Sequence, residues 1–227
     1  MNNHSTASSL VSRTRLAAFS AIIAFSLLPA LGAQPVRLVL PAKHGPLMDR
    51  AAAIFSRRVS QRCGVPSPGA ANAVAIELRV DPEIGAEGFT ISRSARSTVR
   101  VTGGDERGVL YGLGKLFRTS QCNSGRFSPG TWRGTSRPAA SLRGVYLASH
   151  FGNFYEAAPI GELETYVEDL ALWGVNAVGF AFPAWQYTSY EDPAARSNLK
   201  RILAMMQASR RAGMQVGAFV APNQTFK

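Results

Sequence analysis

A strand pattern changes into a helix pattern within the stretch Val99-Arg-Val-Thr-Gly-Gly-Asp-Glu-Arg-Gly-Val-Leu-Tyr-Gly-Leu-Gly-Lys-Leu-Phe117. Apolar and polar residues alternate up to Thr102, which is typical of a strand with one buried face. Two glycines then form a turn, Asp105 is a candidate N-cap, and apolar residues recur at helical spacing. The stretch therefore predicts a strand, a tight turn and an amphipathic helix that packs on the sheet.

The residues upstream extend this pattern. Strands are predicted at 36–40, 74–80 and 88–91, the last of these as the hairpin partner of 98–102, and a helix is predicted at 47–61. Residues 34–125 are therefore predicted to form an α+β domain, with two helices covering one face of a small sheet.

The predicted helix carries the most specific motif of the chain, an Arg-Gly-x-x-Tyr-Gly-x-x-x-Leu pattern made by Arg107, Gly108, Tyr111, Gly112 and Leu116. With the preceding hairpin and Gly-x-Asp turn, it resembles the non-catalytic domain before the barrel in β-N-acetylhexosaminidases of glycoside hydrolase family 20. The same module precedes the barrel in α-glucuronidases. The resemblance implies that residues 34–125 are a supporting domain and not a catalytic one.

The second half alternates strands with helices. Nearly continuous apolar strands are predicted at 142–148, 175–182 and 214–220, and amphipathic helices at 162–173 and 194–211. Such a series predicts a parallel sheet buried on both faces, so the fold class is α/β. The resemblance favours a (β/α)8 TIM barrel over a Rossmann-type sheet, and implies that residues 141–227 are its first three βα units.

A complete barrel takes about 250 residues, so we expect the barrel to be partial in this chain. The chain is then the front of a longer enzyme or a truncated product, and the alternative is a free-standing small α/β domain. Residues 126–140 are rich in Gly, Pro, Ser and Thr and are predicted to be a linker between the two halves.

The first 33 residues have the features of a signal peptide. Arg13 and Arg15 precede an apolar run from Leu16 to Leu28, and small residues follow Pro29. The run is shorter than the roughly 20 apolar residues of a membrane span, although an uncleaved anchor is the alternative. We therefore expect export to the periplasm or the extracellular space, with no stable membrane span after cleavage.

An oxidising compartment would allow Cys63 and Cys122 to form a disulfide, and two buried free thiols are the alternative. With two cysteines and three histidines in the chain, a four-cysteine zinc site is excluded and a multi-histidine metal centre is nearly so. No metal or organic cofactor is indicated.

Basic charge is concentrated in the first half. Residues 34–140 hold 16 basic and 7 acidic side chains, whereas residues 141–227 hold 7 of each. This excess is compatible with an anionic partner, although a basic surface that only maintains solubility is the favoured explanation. Basic runs interleaved with aromatics and zinc-finger spacings are both missing from the sequence, so nucleic acid is not an expected partner.

Active sites of barrels lie at the carboxyl ends of the strands, so candidate ligand contacts are the residues that follow each predicted strand. His150 and Asn153 follow the first, Trp185 the second and Asn223 the third. Aromatic faces stack on sugar rings and amides bind hydroxyl groups, so these four residues are candidates for contacts to a glycan or oligosaccharide. The alternatives are that Trp185 packs against the first domain and that His150 is structural.

No catalytic residue is assigned. Glycoside hydrolysis needs two carboxylates, or one with a substrate acetamide, and the resemblance implies that the acid follows a fourth strand. Glu191 and Asp192 lie in a loop where helix capping is the favoured role. The segment Ala148-Ser149-His150-Phe151 lacks the Asp and Arg of family 20, so a uronic-acid or other glycan fits at least as well as an N-acetylhexosamine.

These observations predict the N-terminal portion of a secreted glycoside hydrolase that is inactive by itself. One alternative is a non-enzymatic glycan-binding module of the cell envelope, and another is a protein that binds polyanions or membrane surfaces through its basic first half.

Overall fold

The structure, a computed structural model, describes residues 36–64, 73–95, 98–123, 125–219 and 225–227. The predicted signal peptide at 1–33 and Asn223 lie outside these ranges. The chain forms, in order, β1 (Val36–Val39), α1 (Pro46–Cys63), β2 (Val74–Val80), β3 (Phe89–Ala95), β4 (Thr98–Gly103) and α2 (Glu106–Thr119). It continues with β5 (Gln121–Asn123), β6 (Arg126–Ser128), β7 (Gly134–Ser136), β8 (Gly144–Leu147), α3 (Phe154–Ala157), α4 (Ile160–Leu172), β9 (Ala177–Ala181), α5 (Pro193–Arg211) and β10 (Gln215–Phe219).

Five strands of the first half form one mixed sheet in the order β1-β2-β4-β3-β7. Strands β1, β2 and β4 are parallel, and β3 runs antiparallel to both of its neighbours. Alternation along β2 and β4 buries Ile76, Leu78, Val99 and Val101 in the main core. Helices α1 and α2 pack on each other, and α2 also lies against β4, so the predicted two-helix cover is present.

The helix that follows the opening motif is fixed by its cap and by a close approach to the sheet. Asp105 accepts a hydrogen bond from the backbone N–H of Gly108 at 2.7 Å, which satisfies a free donor of the first turn. A Cβ atom on Gly108 would overlap the carbonyl oxygen of Gly88. Glycine at this position therefore lets the first turn of α2 rest directly on the start of β3.

The segment 126–140 differs in part from the predicted linker. Strand β6 pairs with β5 in a two-stranded ribbon, and β7 is the edge strand of the five-stranded sheet. Three-residue strands have too few residues to show a periodicity, so their pairing is decided by the partner strand and not by local pattern. This correction extends the first sheet to Ser136.

The second half contains three parallel strands in the order β8-β9-β10, connected through α4 and α5. One face of this sheet packs on the helices through Leu147, Val178 and Phe180, which are all buried. Together with the mixed sheet of the first half, these units confirm the predicted α/β fold class.

The two halves share one buried core, and helix α2 lies directly against α4. A Cβ atom on Gly114 would overlap the carbonyl oxygen of Leu172 at the end of α4. Arg118, one turn further along α2, donates to the same carbonyl at 2.6 Å. The close contact at Gly114 therefore also places a cation on the last carbonyls of α4, where the helix dipole is negative.

Helix α1 is held to α4 by a buried carboxylate. Glu168 of α4 is 2% exposed and forms ion pairs with both Arg50, at 2.6 Å, and Arg57 of α1. A carboxylate buried to this extent needs charged partners, because its desolvation costs several kcal/mol. The pairing therefore fixes how far α1 lies from α4.

A second buried carboxylate, Glu87, connects the first sheet to the starts of β8 and β9. It accepts hydrogen bonds from Arg107 Nη1 at 2.9 Å, from Arg143 Nη2, and from Asn176 Nδ2 at 3.1 Å. Its backbone lies in the left-handed region (φ 59°), and its N–H donates to Asp105 at 3.2 Å. That conformation is uncommon for a residue with a side chain and aims the carboxylate between the three donors.

Opposing effects act on the pKa of Glu87. Burial alone would raise it, and the hydrogen bonds from Arg143 and Arg107 outweigh burial, so the pKa of the Glu87 carboxyl lies below its usual value. The Glu87 carboxyl is therefore ionised at neutral pH, where it attracts both arginines.

Helix α1 is also tied to β5 covalently. The structure joins Cys63, the last residue of α1, to Cys122 in a disulfide with a Cα–Cα distance of 4.9 Å, which is within the usual range for such bridges.

Replacement of Gly114 by alanine tests the close contact between α2 and α4. We expect Gly114→Ala to lower the free energy of unfolding by about 1–3 kcal/mol, because the new methyl group overlaps the Leu172 carbonyl. The matched control is Gly161→Ala in the first turn of α4, where nothing lies within 4 Å of the added methyl group. At that position alanine should raise the free energy of unfolding by roughly 0.5–1 kcal/mol. Urea unfolding measures both, and equal shifts would contradict the proposed contact.

The lowered pKa of Glu87 predicts a pH dependence. A carboxyl whose folded pKa lies below its unfolded pKa adds stability above the unfolded value, and this stability is lost as the pH falls through the folded pKa. We expect Glu87→Gln to remove about 2 kcal/mol at pH 7 and to flatten the loss of stability below about pH 5. The control is Glu164→Gln. It removes the ion pair between Glu164 and Arg211, and the side chain of Glu164 is 38% exposed. If the free energy of unfolding of Glu87→Gln still falls below about pH 5 as steeply as that of the unmodified protein, this role is refuted.

Candidate functional site

The carboxyl ends of β8 and β9 bring two of the predicted residues together. His150 follows β8 and Trp185 follows β9, and their ring centroids lie 5.6 Å apart in an edge-to-face arrangement. Because neighbouring parallel strands end on the same edge of a sheet, residues distant in sequence meet there. A hydrogen bond from a side chain to the backbone also links the loops, since Gln186 Nε2 donates to the carbonyl of His150 at 2.9 Å.

Two more aromatic side chains surround His150. Its Nδ1 lies 3.3 Å from the hydroxyl of Tyr146, and its ring lies 4.2 Å from that of Phe151, which is 74% exposed. We call His150, Trp185, Tyr146 and Phe151 the strand-end cluster. Its members are a histidine and three exposed aromatic rings, a composition suited to stacking on the C–H face of a sugar.

The strand-end cluster keeps unused polar atoms. Within the described residues, His150 Nε2 and Trp185 Nε1 have no hydrogen-bond partner, and Trp185 is 37% exposed. An indole N–H and an imidazole nitrogen at an open edge are available to ligand hydroxyl or carboxylate groups. The cluster can therefore combine apolar stacking with directional hydrogen bonds.

Buried hydrogen bonds below the strand-end cluster fix the two loops. Ser149 is fully buried and donates its hydroxyl to the carbonyl of Ala181 at 2.8 Å, so the ends of β8 and β9 are joined. Asn198 of α5 donates to the carbonyl of Ser149 at 3.2 Å and to the Tyr187 hydroxyl at 2.7 Å. A rigid base of this kind holds side chains on loops in one geometry.

The face of the three-stranded sheet that points away from the helices is open. It forms a trough of about 500 Å³ between Leu142 and the ring of Phe219. Phe219 lies across Gly179, where an added Cβ would come within 2.6 Å of its ring, and meets the Tyr146 ring edge-on at 5.2 Å. The trough therefore reaches the strand-end cluster through Tyr146.

The side chain of Asn153 is engaged in hydrogen bonds within the protein, and its predicted contact to a glycan stays a prediction. Its side-chain oxygen accepts from the backbone N–H of Tyr155 at 3.0 Å, and its Nδ2 donates to the carbonyl of Ala148 at 2.7 Å. Glu156 completes a capping box by accepting from the N–H of Asn153. The amide thus starts α3 and ties it to the end of β8.

The carboxylates near this edge are also engaged. Glu156 accepts from the backbone of Gly152 and Asn153, and Glu191 forms an ion pair with Arg196. Asp192 caps α5, and the backbone N–H of Ala194 holds the pKa of the Asp192 carboxyl below its usual value. Among the described residues, these strand-end acids are therefore occupied as caps and ion-pair partners.

No group of three or more His, Cys, Asp or Glu side chains with metal-binding geometry occurs in the described part of the chain. Of the helices in the same residues, none is long and apolar enough to cross a bilayer.

The sequence pattern did not single out Tyr146, Phe151 or Phe219. Successive side chains of a strand lie on opposite faces of the sheet, so in β8 Tyr146 lies on the face opposite to Val145 and Leu147. This alternation is the signal that places the Tyr146 ring on the open face. Asn223 lies outside the described residues, so its predicted contact stays a prediction.

Comparison with known proteins identifies the fold. No protein-family model matches the chain, and no curated protein sequence matches it. Among solved structures it is similar to the family 20 chitobiase of Flavobacterium johnsoniae (TM-score 0.60, 15% identity, 83% of this chain and 32% of that chain). It is also similar to the family 20 β-N-acetylhexosaminidase of Streptomyces coelicolor (TM-score 0.56, 16% identity, 85% and 43%).

A third similar structure is a family 115 4-O-methyl-α-glucuronidase with specificity for decorated arabinogalactans (TM-score 0.55, 15% identity, 83% of this chain and 29% of that chain). Identities at this level establish a glycoside-hydrolase-like fold and nothing finer. The chain spans 29–43% of the length of these three structures.

A substitution at Asn153 tests its role as the cap of α3. We expect Asn153→Ala to lower the free energy of unfolding by about 1 kcal/mol, because the first turn of α3 loses its side-chain acceptor. Asn153→Asp keeps an oxygen in that position and is expected to stay near the stability of the unmodified protein. Chemical denaturation gives both values, and an alanine variant of full stability would contradict the capping role.

Proposed function

We propose that this chain is part of an exported hydrolase that cleaves glycosidic bonds, with residues 34–125 as its supporting domain and residues 141–227 as the first three βα units of its barrel. The observation that carries the proposal is the strand-end cluster. It combines exposed aromatic rings with polar nitrogens that have no hydrogen-bond partner among the described residues, at the edge of a glycoside-hydrolase-like fold. In barrels this edge is where substrates bind.

The cluster supplies binding rather than bond cleavage. Hydrolysis requires a carboxyl group that protonates the leaving oxygen and a second group that acts as nucleophile or base. Glu156, Glu191 and Asp192 are each held by a cap or an ion pair. Residues of this chain therefore orient a sugar, and the carboxylate pair comes from barrel units beyond the three present here.

The same carboxylates, which are already held by caps and an ion pair, also favour a second function. A glycan-binding module of the cell envelope needs aromatic faces and polar nitrogens but no acid and base. In that case the chain binds sugar with the same residues and never hydrolyses it. Both functions predict binding at Trp185, and they differ in whether the natural protein has catalytic units.

Binding and hydrolysis assays test the shared part of these proposals. We expect the purified chain to bind plant or bacterial polysaccharides in affinity gel electrophoresis and to leave aryl glycosides intact. Trp185→Ala removes the stacking ring, so binding should weaken by roughly tenfold, equivalent to about 1.4 kcal/mol. Leu203→Ala, at a similarly exposed apolar position on α5, is the control and should bind normally. Enzyme-like hydrolysis by this chain, or unchanged binding in Trp185→Ala, would refute the assignment.

The intact mass of the protein isolated from its natural source separates the two functions. The 227 residues have a mass of 24.3 kDa. A much larger mass, with hydrolysis of a glycan by the native protein, supports the hydrolase. A mass near that of this chain after signal removal, with binding only, supports the glycan-binding module.

Export is the remaining part of the proposal, and the disulfide supports it. Disulfides persist in oxidising compartments and are rare in the cytosol. The bridge from Cys63 to Cys122 closes a loop with a sequence separation of 59 residues.

The disulfide predicts a dependence on redox conditions. We expect Cys63→Ala/Cys122→Ala to lower the free energy of unfolding by about 2–4 kcal/mol, because the unfolded chain has more conformational entropy without the bridge. A reductant should destabilise the unmodified protein by a similar amount and leave the double variant unaffected. Two reactive thiols in protein taken from its native compartment would contradict both the bridge and the export that it supports.

A further inference from the structure

A second cavity, of about 280 Å³, lies at the opposite ends of the strands from the strand-end cluster. Arg143 lies at its wall just before β8, and Gly174 just before β9. The other wall comes from the first half of the chain, including Lys115 and Arg118 of α2. The cavity is therefore a junction between the two halves, separate from the candidate site.

The lining of this cavity has an excess of positive charge. Lys115, Arg118, Arg137 and Arg143 contribute four cations, and the single carboxylate is Glu87. Arg143 already pairs with Glu87, whereas the other three cations have no carboxylate within 4.0 Å among the described residues. Unpaired cations that converge on a concave surface attract an anion.

Aromatic rings hold two of these cations at the cavity. The guanidinium of Arg118 lies 4.2 Å from the centroid of Trp173, and the amino group of Lys115 lies 5.0 Å from that of Trp132. Trp173 is nevertheless 69% exposed, so much of its surface remains open to a ligand. Burial lowers the pKa of Arg118, as expected for a cation without a counter-charge.

The size and composition of the cavity define its ligand. Ligand pockets usually measure about 300–1,000 Å³, so a cavity of this volume accepts a single small ring and not an extended chain. Lysine and arginine recognise carboxylates, and tryptophan stacks on an apolar ring face. One compact ligand that has both a carboxylate and a C–H ring face is a sugar acid.

We propose that this cavity is a second carbohydrate-binding site that takes one uronic-acid unit of an acidic glycan. Lys115 and Arg137 bind the carboxylate, and Trp173 contacts the sugar ring. The anionic character follows from the lining, whereas the choice of a sugar over another small organic acid rests on the proposed function. Such a site holds an acidic glycan on the protein while another part of it occupies the strand-end cluster.

The three tryptophans of the chain allow a selective measurement. Trp132 and Trp173 line the cavity and Trp185 lies in the strand-end cluster, so in Trp185→Phe the remaining indole fluorescence reports on the cavity alone. The variant is titrated with methyl glucuronide, with methyl glucoside as the uncharged analogue, and with sulfate. We expect a saturable change with the glucuronide that weakens with added salt, and no saturation with the other two over the same range.

Charge variants locate the binding. Lys115→Met keeps the apolar stem that covers Trp132 and removes the charge, and we expect roughly tenfold weaker glucuronide binding from the loss of a charge-assisted hydrogen bond. Arg137→Gln should weaken binding to a similar extent. Lys200→Met, an exposed lysine on α5, is the matched control and should leave affinity unchanged. Calorimetry runs in parallel to detect binding that leaves the fluorescence constant.

Each contrary outcome removes a defined part of the proposal. Equal affinity for the glucoside would refute recognition of charge, and equal affinity for sulfate would refute recognition of a sugar. Binding that survives Lys115→Met and Arg137→Gln would place it elsewhere, and failure of all three ligands to bind would refute the site. The fluorescence titrations use Trp185→Phe, in which the indole of the strand-end cluster is absent. The function proposed for the strand-end cluster is therefore tested separately, by the polysaccharide binding of Trp185→Ala.

Discussion

The buried carboxylate of Glu87 is the interaction on which the arrangement of the two halves depends. A charge in that position is tolerated only while Arg107, Arg143 and Asn176 donate to it, and these donors come from α2 and from the segments that precede β8 and β9. The starts of two parallel strands are thereby fixed to the first sheet. Because the strands are rigid, their far ends, which position His150 and Trp185, are fixed as well.

Periodicity predicted the long elements and failed for the short ones. Strand β2 begins and ends where the alternation of apolar residues places it, at Val74 and Val80, because seven residues are enough to distinguish two faces. Strands β6 and β7 have three residues each and lie in a segment rich in Gly, Pro and Ser. Their structure comes from pairing with distant strands, so no local pattern in 126–140 indicates it.

The sequence predicted where the candidate site lies, but it predicted only some of the residues that form it. Parallel topology places side chains at strand ends, and this led to His150 and Trp185. Tyr146 was missed because its contribution depends on which face of β8 the helices leave open, a property of the assembled sheet. Asn153 illustrates a different limit. An amide that caps a helix and an amide that binds a sugar have the same chemistry, so the sequence does not distinguish them.

The ion pairs of Glu168 also have a consequence for biosynthesis. A chain emerges from the ribosome amino end first, and its early segments fold before later ones are made. Arg50 and Arg57 precede Glu168 by 118 and 111 residues, so both cations of the pairing are synthesised well before the carboxylate. Wherever folding follows the order of synthesis, α4 docks on counter-charges that are already present, and its carboxylate is not buried alone. In the reverse order, α4 would have to stay solvated until α1 appeared.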